Sequence, residues 1–519
     1  MELRKIFSAR NILRSAVVVA SLLLIQFAAS AQVNLSTAAV PSSGLAGSTT
    51  IHVTGTGFPA GLSASTVTVN FASTCLALTP KGTSTATHIT VLGGTDLVYT
   101  VIPGSLATGT YAVWVTGSSP AFTSSSCSTL SVTATSTTLA ACVPTSSLAV
   151  TAGTDVNAYV PFGYWESSAA GIEEVPLEGS GTAHNFSTTG AVNSCASNSV
   201  TGEVVCTENS TNVDLIMGTT LTTITSGSNS TASFSGGSCE NCGVAINAAN
   251  NTALIAMGYY GGSGNSAVQV LNLSGNTFNT PFQLDHYVSE DVSIDSGRNL
   301  ILSPGEGGYY DLLQIGSGNS LTESGQYIGG ELDSAAEDCT TGIGLASDEF
   351  TDDIYITDLT QAKFTPGTPG TWTGAGQFVD LADGGYSAGT CGLSVAPGTG
   401  HLGVVTGEFG GSSYSALQLP SSSGSGTPAL ADYAYVGSMP NTPDGNYFSA
   451  GYDPHTVTAY TSPNTNKSYA VFADYLFGYP SYLGVVDLAC VLAAPRTGVG
   501  SHTVVAGGAD SCVRYVAVP

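Results

Sequence analysis

After residue 31 the apolar positions come in short runs of Val, Ile, Leu, Tyr and Thr, broken by Gly, Asn, Ser and Pro. No window sustains a 3.6-residue apolar period with helix caps. Alternation with period two is plain in Thr66-Val67-Thr68-Val69-Asn70-Phe71 and in Thr110-Tyr111-Ala112-Val113-Trp114-Val115. One face of each run is apolar and the other polar, which predicts an all-β chain of many short strands. Within residues 33–134 the runs Ile51–Phe58, Val67–Phe71, Leu97–Ile102, Tyr111–Val115 and Thr129–Thr133 have the spacing of a two-sheet sandwich.

Residues 135–152, rich in Thr, Ser and Ala, read as a linker. From 153 to 519 a degenerate repeat appears. Gly243–Asn247, a turn at 248–251 and Thr252–Ala256 form one strand–turn–strand unit; Asp291–Asp295, 296–299 and Leu300–Leu302 form another. Gly392–Ala396 with His401–Val405, and Gly342–Ala346 with Asp353–Ile356, repeat the form. Fainter copies begin near 157, 200 and 449. A period of 40–50 residues built from short strands predicts a β-propeller, because a lone blade cannot bury both faces and a closed ring can. Seven starts predict seven blades, with six or eight as the alternatives. Closure is expected between the strand near 155–160 and residues 449–519.

Two resemblances follow from these segments. Val53-Thr54-Gly55-Thr56-Gly57-Phe58, with Val101-Ile102-Pro103 and Leu106 through Gly109-Thr110-Tyr111, resembles the IPT/TIG branch of immunoglobulin-like domains. That resemblance implies a spacer or binding module. The strand–Asn/Asp–turn–strand form of the later repeat resembles YVTN/NHL-like repeat propellers.

Charge and composition add a location. The 519 residues carry 36 acidic and 10 basic side chains, a net charge of −26. Such a chain repels phosphate backbones, which argues against nucleic-acid partners. Four of the ten basic residues, Arg4, Lys5, Arg10 and Arg14, precede the apolar stretch Ala16–Ala29, and Ala29-Ser30-Ala31 follows. This is the anatomy of a secretory signal over residues 1–31, cut after Ala31. A membrane anchor is the alternative, but the stretch falls short of the ~20 residues a spanning helix needs. No later stretch reaches that length, so a secreted or cell-surface protein without a transmembrane segment is expected.

Eleven cysteines in an exported chain point to disulfides. The pairs expected from proximity in sequence are Cys75–Cys127, Cys195–Cys206, Cys339–Cys391 and Cys490–Cys512, leaving Cys142 over. Cys239-Glu240-Asn241-Cys242 is read as a small loop disulfide, since no second ligand pair for zinc and no thioredoxin-like helix lies beside it.

Candidate chemistry is sparse. Gly385-Tyr386-Ser387-Ala388-Gly389 has the spacing of a nucleophile elbow but is followed by a strand, where that elbow needs a helix. Glu331 to Asp358 is the densest acidic stretch. It reads as a solvated loop, as a calcium site on Asp348, Glu349, Asp352 and Asp353, or as a catalytic carboxylate pair. Glu290-Asp291 and Glu337-Asp338 occupy like places in the repeat, so they either meet at the channel mouth, with Tyr309 and Tyr310 as ligand contacts rather than inter-blade packing, or are two unrelated solvated pairs. The histidines show no metal-ligand spacing. Tyr259-Tyr260, the group Tyr159, Phe162, Tyr164, Trp165 and the group Tyr475, Phe477, Tyr479, Tyr482 are either inter-blade packing or sugar and peptide contacts.

The expected function is non-enzymatic binding of a glycan or an extracellular protein through propeller loops, with no cofactor other than calcium. The alternative is a polysaccharide hydrolase or lyase using propeller carboxylates.

Overall fold

The computed structural model describes residues 32–519, except 46–49, 60–61, 87, 93–94, 134–146, 152–154, 164–167, 200, 232–238, 259–264, 287–290, 317–318, 366, 368–369, 382–388, 399, 409–410, 421–425, 452–454 and 498–501. The protein is all-β; among the described residues a short α-helix at Leu488–Leu492 and single 3-10 turns at Ala64–Thr66 and Asp510–Cys512 are the helical segments. It divides into two compact units, Met1–Gly47 with Ile51–Val132, and Ser48–Thr50 with Thr133–Pro519.

The first unit is an antiparallel β structure around one core. Val67–Ala72 pairs with Gly109–Ser118, and that strand pairs with Ser128–Thr133. The alternation read in the sequence sets the burial: Val67, Val69 and Phe71 are inside with Val113, Val115 and Leu130. Cys75 and Cys127 are joined.

The second unit is built from successive four-stranded antiparallel meanders. One runs Thr390–Val395, Leu402–Gly407, Tyr414–Gln418, Asp432–Val436; the last runs Val457–Thr461, Ser468–Ala473, Tyr482–Asp487, Val513–Ala517. The long strand His184–Ser197 serves two meanders. Its first half pairs with Ala170–Glu178 and its second half with Val204–Glu208.

The first strands of the meanders are the innermost ones, and they touch in chain order. The Ala149–Thr151 strand packs on His184–Ser197, which packs on Val244–Asn247; then follow Ser293–Asp295, Leu332–Asp338, Thr390–Val395 and Val457–Thr461, which returns to Ala149–Thr151. Apolar clusters straddle consecutive sheets. Leu300, Leu302 and Leu312 of one sheet meet Leu332, Ala346 and Trp372 of the next. Leu345 and Ile356 then meet Leu393 and Val405. This unit is a β-propeller. Its closing interface sets Leu148, Val150 and Val160 against Tyr460, Val471 and Leu483. There Tyr475 donates to the Pro161 carbonyl at 2.7 Å, and Tyr460 to Glu178 at 2.9 Å.

Inner strands have edges whose amides need partners. Serine hydroxyls supply them across the sheet boundary. Ser394 Oγ accepts from Ala459 N at 2.8 Å, and Ser334 Oγ from Leu393 N at 3.2 Å. Among the described residues, the turns after six inner strands end on a left-handed residue, Asn251 (φ 51°), Asn299 (φ 54°), His401 (φ 50°) or Asn466 (φ 55°), with Gly202 and Gly342 in the same role. Asn tolerates that region better than most residues, which explains the recurring Asn of the repeat.

The repeat phase differs from expectation at three copies. The copies near 157, 200 and 342 begin on second strands (Val156–Pro161, Val204–Glu208, Ile343–Asp348), each preceded by an inner strand. Before Ile343 that strand is Leu332–Asp338, Leu-Asp-Ser-Ala-Ala-Glu-Asp, with all seven residues buried. The solvated acidic loop expected from Glu331 to Asp358 is therefore corrected. Asp333, Glu337, Asp338, Asp348 and Asp358 are all buried on strands.

Three of the expected long-range disulfides form, Cys75–Cys127, Cys195–Cys206 and Cys490–Cys512, as does the short Cys239–Cys242. Cys339–Cys391 does not. Cys339 is in a disulfide, whereas Cys391 is a buried thiol, so the two cannot be each other's partner. Cys142 lies outside the described residues. No described helix is long and apolar enough to cross a membrane.

Candidate functional site

The best-formed polar site lies on the sheet that begins with Ser293–Asp295. Its strands Tyr309–Ile315 and Leu321–Tyr327 pair with Tyr309 opposite Tyr327, Asp311 opposite Gly325 and Leu313 opposite Glu323. Period-two alternation puts these residues on one face and Tyr310 and Leu312 on the other. His286, from the loop after the Phe282–Gln283 strand of the preceding sheet, lies over the first face.

The His286 ring stacks on Tyr309 with centroids 3.7 Å apart and planes 15° apart, and Tyr309 meets Tyr327 edge-on at 5.3 Å. Tyr327 is 66% exposed. His286 Nδ1 is 3.1 Å from Asp311 Oδ2 and 3.7 Å from Glu323 Oε1. The Asp285 amide donates to both Glu323 oxygens, at 3.1 and 3.0 Å. Gly325 is required here: a β-carbon would strike Asp311 Oδ1 and come within 2.9 Å of His286 Cε1. Beside the stacked rings opens a pocket of about 230 Å³ lined by Asn265, Asp285, His286, Gly307 and Tyr309.

The electrostatics of the trio favour protons. The hydrogen bond to Asp311 holds the His286 imidazole above its ordinary pKa, against a smaller desolvation effect. Burial, with the Asp311 charge behind it, pushes the Glu323 carboxyl up to about 8. The site therefore presents an imidazole whose protonated form Asp311 favours, a stacked tyrosine and an exposed tyrosine at one pocket. It can stack a flat apolar face and hydrogen-bond hydroxyls at its rim.

The other anticipated residues are distributed as follows. Tyr309 lines the pocket, but Tyr310 is fully buried against Tyr355 and Trp372, whose indole donates to the Tyr310 carbonyl at 2.7 Å. Asp291 lies at the start of its inner strand, near Ser334 and His455. Glu337 and Asp338 end theirs. At roughly 3.3 Å per residue, about 13 Å separates Ser334, which bonds Asp291, from Asp338 on that strand. Among the described residues, Asp291 and Asp338 therefore do not meet. Asp338 instead pairs with His401 Nδ1 at 2.6 Å, and Asp295 with Arg298 at 2.8 Å. Burial, with Asp295 and Asp338 nearby, holds Glu337 well above the carboxylate range. Glu290, Tyr259-Tyr260, Tyr164, Trp165, Asp453-Pro454 and the Gly385–Ala388 part of the elbow-like segment lie outside the described residues.

Asp348, Glu349, Asp352 and Asp353 do not form one donor set among the described residues. Glu349 gathers with Glu306 and Glu331. Asp348 is buried, with Oδ1 accepting from Phe350 N at 3.2 Å. Burial, then the Asp380 charge, raises the Asp353 carboxyl. Phe477 and Tyr479 are exposed, whereas Tyr159 and Tyr475 are buried packing residues. His286, Asp311 and Glu323 were missed by sequence reasoning. Their only trace in the chain is the odd-position series Tyr309, Asp311 and Glu323, Gly325, Tyr327.

No protein-family model matches the chain, and no curated protein matches it. Among solved structures it is distantly similar to a chain of the mitotic checkpoint complex, at 12% identity and TM-score 0.42, over 63% of this chain and 83% of that one. It is also distantly similar to the β-propeller domain of Myceliophteria thermophila Cps50 (Swd1), at 8% identity and TM-score 0.37, over 57% of this chain and 87% of that one. The propeller is established by the strand pairing and the ring of inner-strand contacts, not by these distant likenesses.

Proposed function

We infer that this is an exported, non-enzymatic glycan-binding protein. A signal over residues 1–31 directs it out of the cell. An IPT/TIG-like module over residues 33–134 acts as a spacer or binding module, and residues 153–519 form a seven-bladed propeller. The observation that carries this reading is the Tyr309–His286–Tyr327 platform beside an open pocket. Sugar rings present flat C–H faces that stack on such aromatics, and their hydroxyls hydrogen-bond an imidazole and donate to a carboxylate such as Asp285. A preformed pocket between two rigid sheets keeps the ordering cost of binding low.

The test is a screen of the wild-type chain and Tyr309→Ala against immobilised polysaccharides and extracellular proteins, with release of reducing ends followed in parallel. Retention of a polysaccharide by wild type, weakened about tenfold in Tyr309→Ala (about 1.4 kcal/mol) and with no reducing ends released, is the expected result. Retention of proteins alone, or equal retention by the two chains, rejects the reading. Polysaccharide cleavage by wild type would replace it with the hydrolase or lyase alternative.

A further inference from the structure

A second constellation sits at the start of the inner strands, away from the Tyr309 pocket. Asp291 precedes the Ser293–Asp295 strand by two residues, and His455 precedes Val457–Thr461 by two. Asp333 and Cys391 are the second residues of Leu332–Asp338 and Thr390–Val395. Both of those strands carry a bulge at this point. Three steps, from Leu332 to Ala335, oppose two steps of the partner strand, and the same holds from Thr390 to Leu393. Bulges re-aim side chains and are common beside functional sites.

Donor atoms of Asp333, Cys391 and His455 lie within 4.8 Å of one another, and all three residues are buried. His455 Nε2 is 3.5 Å from Asp333 Oδ2. Its other nitrogen, Nδ1, is 3.2 Å from Asp291 Oδ2, which also accepts from Ser334 Oγ at 3.2 Å. This is the carboxylate–histidine arrangement that fixes a metal-binding tautomer, with Nδ1–H on a carboxylate and Nε2 turned to the ion. Tetrahedral zinc, with bonds of ~2.0–2.3 Å, sets its ligand atoms about 3.3–3.8 Å apart; His455 Nε2 and Asp333 Oδ2 already match this, and the whole trio, within 4.8 Å, needs a contraction of at most about 1.5 Å.

Charge points the same way. Two buried carboxylates face one imidazole, and Asp291 Oδ1 has no hydrogen-bond partner among the described residues. One sulfur, one nitrogen and one oxygen donor suit a borderline-soft cation rather than calcium.

We propose that Asp333, Cys391 and His455 form a binding site for a divalent zinc-class cation between three inner strands, with Asp291 orienting His455. Cys391 is then a ligand thiolate, which accounts for a buried cysteine kept out of the disulfides.

The experiment is titration of the chelator-treated full chain with Co2+ and then Zn2+, reading metal content and the near-ultraviolet absorption of the cobalt form. One Co2+ per chain with a thiolate-to-cobalt charge-transfer band, displaced by Zn2+, is expected. Cys391→Ser should abolish the band while far-ultraviolet circular dichroism stays unchanged. Asp291→Asn, which keeps all three ligands, should keep the band and weaken affinity about 10–100-fold. Absence of cobalt binding to wild type overturns the proposal and leaves an imidazolium bridging two carboxylates. A band that persists in Cys391→Ser overturns it as well.

Discussion

At the scale of the residue, the chemistry of the pocket turns on alternation. Tyr309 and Tyr310 are adjacent in sequence, yet one flanks a pocket and the other is sealed between sheets. The sequence marks both as aromatic; only the register decides which is presented. The same register sets His286 above Gly325, and two predictions follow from that contact. Gly325→Ala should push His286 off Tyr309 and lower both stability, by about 1–3 kcal/mol, and glycan retention; unchanged values for both would refute the contact. The second concerns pH. His286 and Glu323 both hold protons more tightly in the fold than in the open chain. The His286 contribution is complete below its unfolded pKa, near 6.5, and is lost as pH rises through its higher folded value. Glu323, raised to about 8, takes up a proton on folding, so its contribution also declines from about pH 4.5 to 8. The stability of wild type relative to His286→Gln/Glu323→Gln, measured by urea denaturation, should therefore fall from pH 5 to pH 9. A difference that is flat or rises over that range would contradict the arrangement.

At the scale of the element, the strands were legible where β-branched residues alternate and obscure where they do not. Val67–Ala72 and Gly109–Ser118 announce themselves. Leu332–Asp338 reads as a loop because it has three carboxylates and no β-branched residue, yet all seven residues are buried on an inner strand. Long-range packing overrides local propensity there. The histidines were equally opaque, since His286, His401 and His455 each find a carboxylate on a different strand. A clue was available at fixed repeat phase: Ser147, Cys242, Asp291 and His455 each stand two residues before an inner strand. Inner strands are tied by serines rather than by a continuous ladder. Ser394→Ala removes the acceptor of the buried Ala459 amide and should cost about 1–3 kcal/mol. Chemical denaturation showing no loss would mean that the amide is satisfied in another way.

At the scale of the whole molecule, the period of the repeat gave the ring, but the ring closes differently from a shared sheet. The last meander is made entirely of residues 457–517, and it meets the first through side chains of Leu148, Val150, Tyr460 and Leu483. Closure therefore depends on apolar packing and on the Tyr475 and Glu178 hydrogen bonds. Leu483→Ala should cost about 2–5 kcal/mol and shift the unfolding of the propeller as one transition. Retention of the wild-type midpoint would show that the ring does not rely on this seam. Holding the sheets rigid is also what keeps His286, from one sheet, stacked on Tyr309 of the next. The most direct measurement of the binding account is hydrogen–deuterium exchange of the wild-type chain with and without the polysaccharide it retains. Protection confined to peptides containing Asn265, Asp285–His286, Gly307–Tyr309 and Tyr327 is the predicted result; protection elsewhere on the propeller, with these peptides unchanged, would contradict it.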